Sequence, residues 1–182
     1  MCLKAQIAPD YEVARWYQFK TAAVSYTFDD NTSKQLSVTM PIFNQYNFKT
    51  TLFTVTSWGP NGSGLQNASD NGHEIASHTI SHTNLEALNI ADQETELQES
   101  QSIINTNITN TRCITIAYPY CITDDLAIIQ KYYIAGRICS GVIESGTPND
   151  FYRIGSIIVG SQGSVKAAED FYDKVNSAKT SK

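Results

Sequence analysis

Residues 22–30, AAVSYTFDD, set the frame for the whole chain. A short apolar run of β-forming residues, Ala22–Phe28, reads as a buried strand, and it closes on two aspartates, Asp29 and Asp30. Lys49–Thr56 (KTTLFTVT), His73–His78 (HEIASH) and Cys113–Tyr118 (CITIAY) repeat the strand pattern, the last stopped by Pro119. Arg137–Val142 and Tyr152–Val159 read as two further strands.

Helical spacing fills the intervals between these strands. Ser33–Tyr46 carries apolar residues at helical positions, with Asn31, Thr32 or Ser33 as cap and Pro41 expected to bend or break it. Ala91–Asn105, Thr123–Ala135 and Ser164–Lys179 complete the set. Val165, Ala168, Phe171, Tyr172 and Val175 lie on or near one face of the last helix. Trp58–Gly72, rich in Gly, Asn and Ser, reads as a loop. Alternating strands and helices predict an α/β fold with a mostly parallel sheet or barrel, in which chemistry gathers at the carboxyl ends of strands. That rule singles out Asp29, Asp30, His78 and the Pro119-Tyr120 pair.

Composition limits the rest. With 182 residues, of which 41% are apolar and 17% charged, the chain is long enough for one domain with a real core. No repeat or linker divides it, so residues 1–182 are read as one unit with a core at about 22–178. A net charge of −5 without a Lys/Arg cluster argues against nucleic acid and against an anionic membrane surface as partners. No segment is long and apolar enough for a transmembrane span, and Met1–Gln6 lacks the regions of a signal peptide. Oligomeric state is not legible.

The four cysteines, Cys2, Cys113, Cys121 and Cys139, form no C-x-x-C pair, which argues against a thiolate zinc site. Cys113 and Cys121 would pair if the chain turns back on itself, but buried free thiols are slightly preferred. N-x-S/T triplets at Asn31, Asn61, Asn67 and Asn107 matter only if a eukaryotic secretory route makes the protein.

All three histidines lie within ten residues, in GHEIASHTISHT at 72–83. His78 and His82 are four apart, which in a helical turn puts both imidazoles on one side. Two neutral imidazoles and one carboxylate make a ligand set that suits zinc and leaves positions open for water and substrate. Either aspartate of the first strand can complete it, while the other faces the substrate side. A metalloprotease helix is disfavoured: H-E-x-x-H would need a histidine where Ser77 stands.

TFDD at 27–30, NGHEIASHTISHTNL at 71–85 and IAYPY at 116–120 together resemble the acidic, histidine and proline-containing motifs of the polysaccharide deacetylase family. This is carbohydrate esterase family 4, the NodB-homology domain, and the resemblance runs from Ala22 to Gly160. It implies a distorted (β/α) barrel, with Asp29 as general base and Asp30, His78 and His82 as ligands of a divalent metal. That metal would be Zn2+, with Co2+, Ni2+ or Mn2+ as substitutes. The backbone N–H of Tyr120 would stabilise the oxyanion, His73 would support the site, and the substrate would be an acetylated polysaccharide. A secreted or cell-surface location is implied in the same way.

Trp58, Tyr118 and Tyr120 are the aromatic residues that could stack on sugar rings, each at least as readily a core or wall residue. Two positions depart from the family pattern. Ala117 stands where an arginine usually supports the catalytic carboxylate, and Arg137 is the candidate to replace it. No histidine follows His82, whereas the family's catalytic acid is a late histidine. The expectation is therefore a barrel incomplete at its C-terminus, with turnover impaired. A non-catalytic carbohydrate-binding relic that keeps the metal is the alternative, and an α/β domain with fortuitous histidines is the remaining one.

Overall fold

The structure is a computed structural model and describes residues 16–59, 62–123 and 125–180. Five strands are present among these residues: β1 (Tyr26–Phe28), β2 (Thr50–Thr54), β3 (Glu74–Ser77), β4 (Thr115–Ala117) and β5 (Ala135–Arg137). All are parallel and lie in chain order, β1-β2-β3-β4-β5. Each return to the next strand passes through α1 (Met40–Gln45), α2 (Gly62–Asp70), α3 (Ile90–Asn107) or α4 (Leu126–Tyr132). Sequential right-handed crossovers wind such a sheet in one sense, the geometry of a (β/α) barrel rather than of a doubly wound sheet. With five strands the barrel is open.

The side-chain alternation of the strands separates two layers. Leu52, Ile75 and Ile116 point outward and pack with Met40, Leu65, Ala68, Leu97, Ile104, Ile128 and Ile129 of the helices. Phe53, Ala76 and Ala117, the next residue along in each strand, form a small separate cluster on the inner face. Near the strand beginnings the inner face is polar. Glu74 accepts from the hydroxyls of Thr51 (2.6 Å) and Thr115 (2.7 Å), so one carboxylate ties three strands together.

Local chemistry explains most boundaries. The helical run is continuous from Ser33 to Gln45: a π-helical stretch at Gln35–Thr39 leads directly into α1, and Pro41, which has no N–H to return, follows on that wider turn without ending the run. Asn89 and Asp125 cap α3 and α4 by accepting from the amides of Asp92 (3.0 Å) and Ala127 (2.8 Å).

Several expectations need correction. The segment 58–72 is not wholly loop, because α2 occupies Gly62–Asp70 and buries Leu65, Ala68 and Ser69 on one face. Helix packing overrides the Gly/Asn/Ser composition there. The first strand is confined to Tyr26–Phe28. The fifth begins earlier and ends at Arg137, and the segment 152–159 contributes only isolated bridges, Arg137 to Ile154 and Val159 to Val165.

The last helix, α5 (Ala168–Thr180), starts later than expected and has no fully buried residue; Tyr172 is exposed. Its Phe171 ring stacks on Tyr26 of β1, with centroids 6.3 Å apart.

Cys121 pairs with Cys139, not with Cys113, which is a buried free thiol. The extended strand β4 lies between positions 113 and 121 and holds them apart. Cys2 and Asn61 lie outside the described residues.

Gly136 in β5 has a specific reason to be glycine. A Cβ there would meet the Tyr118 ring, with Cζ at 2.5 Å. The Gly136→Ala substitution is expected to displace the buried Tyr118 and lower stability by about 1–3 kcal/mol, read as a shift of the urea midpoint with unchanged m.

Candidate functional site

The carboxyl ends of the parallel strands meet at one rim, and β1 delivers the acidic pair. After Phe28 the chain turns sharply: Asp30 and Asn31 are both left-handed, with φ of 72° and 50°. Asn and Asp tolerate that conformation better than most residues. The Asn31 side-chain amide donates to the Val55 carbonyl (2.9 Å) and accepts from the Val55 amide (2.8 Å), which fixes the turn to the end of β2. An amide so engaged is no free glycan acceptor. Gln35 adds a bond from its side chain to the Asp29 carbonyl.

The histidine loop leaves β3 at Ser77. It is not a helical turn: Thr79 and His82 have φ of 65° and 58°. Short polar side chains brace it. The Ser77 hydroxyl accepts from the Thr79 amide (3.1 Å), and the Thr79 hydroxyl accepts from the His82 amide (3.1 Å). Glu96 of α3 receives the amides of Ile80 (2.8 Å) and Ser81 (3.0 Å) and the Ser81 hydroxyl (2.6 Å).

These two turns bring Asp30, His78 and His82 together. The Asp30 Oδ1 lies 3.5 Å from Nε2 of His78 and 3.3 Å from Nε2 of His82, and the three potential ligand atoms all lie within 4.8 Å of one another. His78 is buried, and its Nδ1 bonds the Ala117 carbonyl at 2.7 Å. That contact makes Nδ1 the donor and leaves the Nε2 lone pair facing Asp30. Burial holds the His78 pKa below the ordinary imidazole value, against opposing contributions led by the Asp29 charge. The neutral ring, the form able to ligate, is thereby favoured.

Asp29 stands beside this cluster. Its Oδ2 pairs with Nη2 of Arg137 at 2.5 Å, across 108 positions of sequence, while its Oδ1 is buried with no hydrogen-bond partner. Arg137 is held in turn by the Ser156 hydroxyl (2.8 Å to Nη1) and by the Phe53 ring, whose centroid is 5.2 Å from Cζ.

Of the three aromatic candidates, Tyr118 alone falls into the core. Trp58 and Tyr120 are half to two-thirds exposed and flank His82, with ring centroids 5.2 and 4.9 Å from it. Tyr118 does not face the rim. It is 1% exposed, and its hydroxyl donates to the Tyr152 carbonyl at 3.0 Å, because its place in the alternation of β4 turns it outward into the core. The structure also keeps His73 away from the site. It precedes β3, whereas His78 follows it, so about 16 Å of extended chain separates them. There His73 accepts from the Thr50 amide (3.2 Å) and donates to Asn44 (3.0 Å).

Sequence reasoning missed Glu96, and it read Asn31 only as a helix cap or glycan acceptor. A lone glutamate on a helix carries no sequence signal. An Asn directly after a strand-ending acidic pair is the one cue that was available.

A family model described as polysaccharide deacetylase matches residues 17–133, well over half of the chain. Over 130 residues the chain is 37% identical to a gellan lyase from Bacillus sp, a match that covers 70% of this chain and 5% of that protein. The chain thus spans about one twentieth of the curated relative it matches.

Among solved structures, a Streptococcus pyogenes deacetylase in complex with acetate superposes with a TM-score of 0.73 at 24% identity, covering 82% of this chain and 68% of that one. A family 4 carbohydrate esterase from Streptomyces lividans, also with acetate, gives 0.59 at 22% identity, covering 65% and 63%. At these identities the two structures speak for the fold. The acidic, histidine and proline segments all fall inside the matched residues, and the chain belongs to the polysaccharide deacetylase family.

Proposed function

We propose that the chain hydrolyses acetyl groups from a polysaccharide at a divalent-metal site formed by Asp30, His78 and His82. The observation that carries the reading is the meeting, at one rim, of this three-donor cluster with an aspartate held on one oxygen only. Two imidazole nitrogens and a carboxylate oxygen, with the His78 tautomer set by a backbone carbonyl, fit Zn2+ or a similar ion. Such an ion supplies Lewis-acid catalysis when bound.

The protein's own groups supply the rest. Arg137 fixes one Asp29 oxygen, so the unpartnered Oδ1 takes the proton from the attacking water. The backbone N–H of Tyr120 serves the developing oxyanion. Trp58 and the exposed Tyr120 ring offer apolar faces to a sugar. The disulfide fits an oxidising compartment and an exported or cell-surface protein.

Metal content tests the ligand set. The purified chain is expected to retain a stoichiometric divalent metal through dialysis and His78→Ala to lose it, as read by elemental analysis; an equally metal-free parent chain refutes the site. Asp29→Asn is expected to keep the metal while the rate of acetate release falls by ~10²–10⁴-fold. Arg137→Ala should fall less, since the base remains.

An alcohol leaves more readily than an amine, so O-acetyl groups are expected to be released faster than N-acetyl groups. Equal rates on acetylated xylan and chitin oligosaccharides would refute this. Stoichiometric metal without any acetate release would point instead to a carbohydrate-binding relic.

A further inference from the structure

The Cys121–Cys139 bond joins the turn after β4 to the segment after β5, with Cα atoms 5.4 Å apart. Both ends are adjacent to groups of the site. Cys121 directly follows Tyr120, and Cys139 stands two residues beyond Arg137, the partner of Asp29.

The turn is one that a chain does not hold by itself. Tyr120 and Cys121 are consecutive left-handed residues, with φ of 55° and 63°, and neither is Gly, Asn or Asp. Such residues persist where their surroundings over-determine them. Two backbone bonds close the turn, from the Cys121 amide to the Tyr118 carbonyl (3.0 Å) and from the Ile122 amide to the Pro119 carbonyl (3.2 Å). Tyr120 itself is exposed, so core packing does not pin it.

The chain enclosed by the disulfide needs no such help. It holds α4, with Ile128 and Ile129 buried, the buried Tyr133 that caps it, and β5, and the Tyr133 hydroxyl bonds the Leu97 carbonyl at 2.7 Å. The covalent restraint therefore acts just past Pro119, the last fully buried residue of the turn, at the end that faces the site.

We infer that the Cys121–Cys139 disulfide is a positioning element: it fixes the left-handed Tyr120–Cys121 turn against the end of β5. The Tyr120 N–H and the Arg137–Asp29 pair then keep one mutual geometry. Its kinetic consequence rests on the deacetylase reading; its structural consequence does not.

The test compares the full chain, oxidised, with the same chain after a dithiol has passed two electrons and two protons to the bond and closed to its own disulfide. The reduced chain, carrying thiols at 121 and 139, is then reoxidised. A Cys121→Ala/Cys139→Ala double variant serves as a control free of reductant, because dithiols also bind metal ions.

Amide hydrogen exchange at residues 120–122 and 137–139 is expected to rise about tenfold without the bond, while β2 and β3 keep their protection. With an acetylated xylo-oligosaccharide as probe, kcat is expected to fall about tenfold, less than the ~10²–10³-fold loss when an oxyanion donor is deleted outright. KM and metal content should hold, and reoxidation should restore the rate. Unchanged local exchange, a loss of protection across the whole sheet, or a double variant with undiminished kcat would each overturn the inference. If neither form releases acetate, the deacetylase reading falls and the exchange pattern alone decides.

Discussion

The two hydrogen bonds between Asn31 and Val55 carry the geometry of the rim, because β1 ends at Phe28 and pairs with β2 alone among the described strands. Past that point the ladder has no further backbone rung to orient the chain. The Asn31 amide supplies a donor and an acceptor in place of the missing residue, and it does so while Asp30 and Asn31 are both left-handed. The reversal separates two adjacent carboxylates that a regular strand would merely have pointed to opposite faces. Asp30 turns toward the histidines and Asp29 toward Arg137.

The opposite wall solves the same problem with different groups. A loop with two left-handed residues, Thr79 and His82, would be loose if its amides faced water alone. Glu96 gathers three donors from Ile80 and Ser81, and the hydroxyls of Ser77 and Thr79 take two more. The Ser77 hydroxyl is itself paired with Ser100 of α3 at 2.8 Å. Charge-assisted bonds to a carboxylate anchored on an 18-residue helix make this loop an extension of the core.

Legibility followed how local each cause was. The acidic pair after an apolar run and the close histidine pair are signals within a few residues, and the structure brings Asp30, His78 and His82 together as the spacing suggests. The two histidines nonetheless share no helical turn, and the loop reaches the same side through left-handed residues. Helix α2 was hidden by its Gly, Asn and Ser content, since only the burial of Leu65 and Ala68 against the sheet reveals it. Tyr118 and Tyr120 differ by a turn that reverses their exposure, which no propensity encodes. The cysteine pairing and the weak pairing beyond β5 depend on which segments become neighbours, and that is a property of the assembled sheet.

The Asp29–Arg137 contact bears on the order in which the rim matures. Contacts far apart in sequence carry a larger loop-closure cost than local ones. The turns that bring Asp30, His78 and His82 together draw on residues up to β4, through Glu96 of α3 and the Ala117 carbonyl, but the guanidinium that orients Asp29 arrives with β5. Under the proposed function, the groups that would hold the cation thus depend on the chain up to β4 and the orientation of the base depends on β5 as well, so turnover would be the more sensitive reporter of the sheet's last strand.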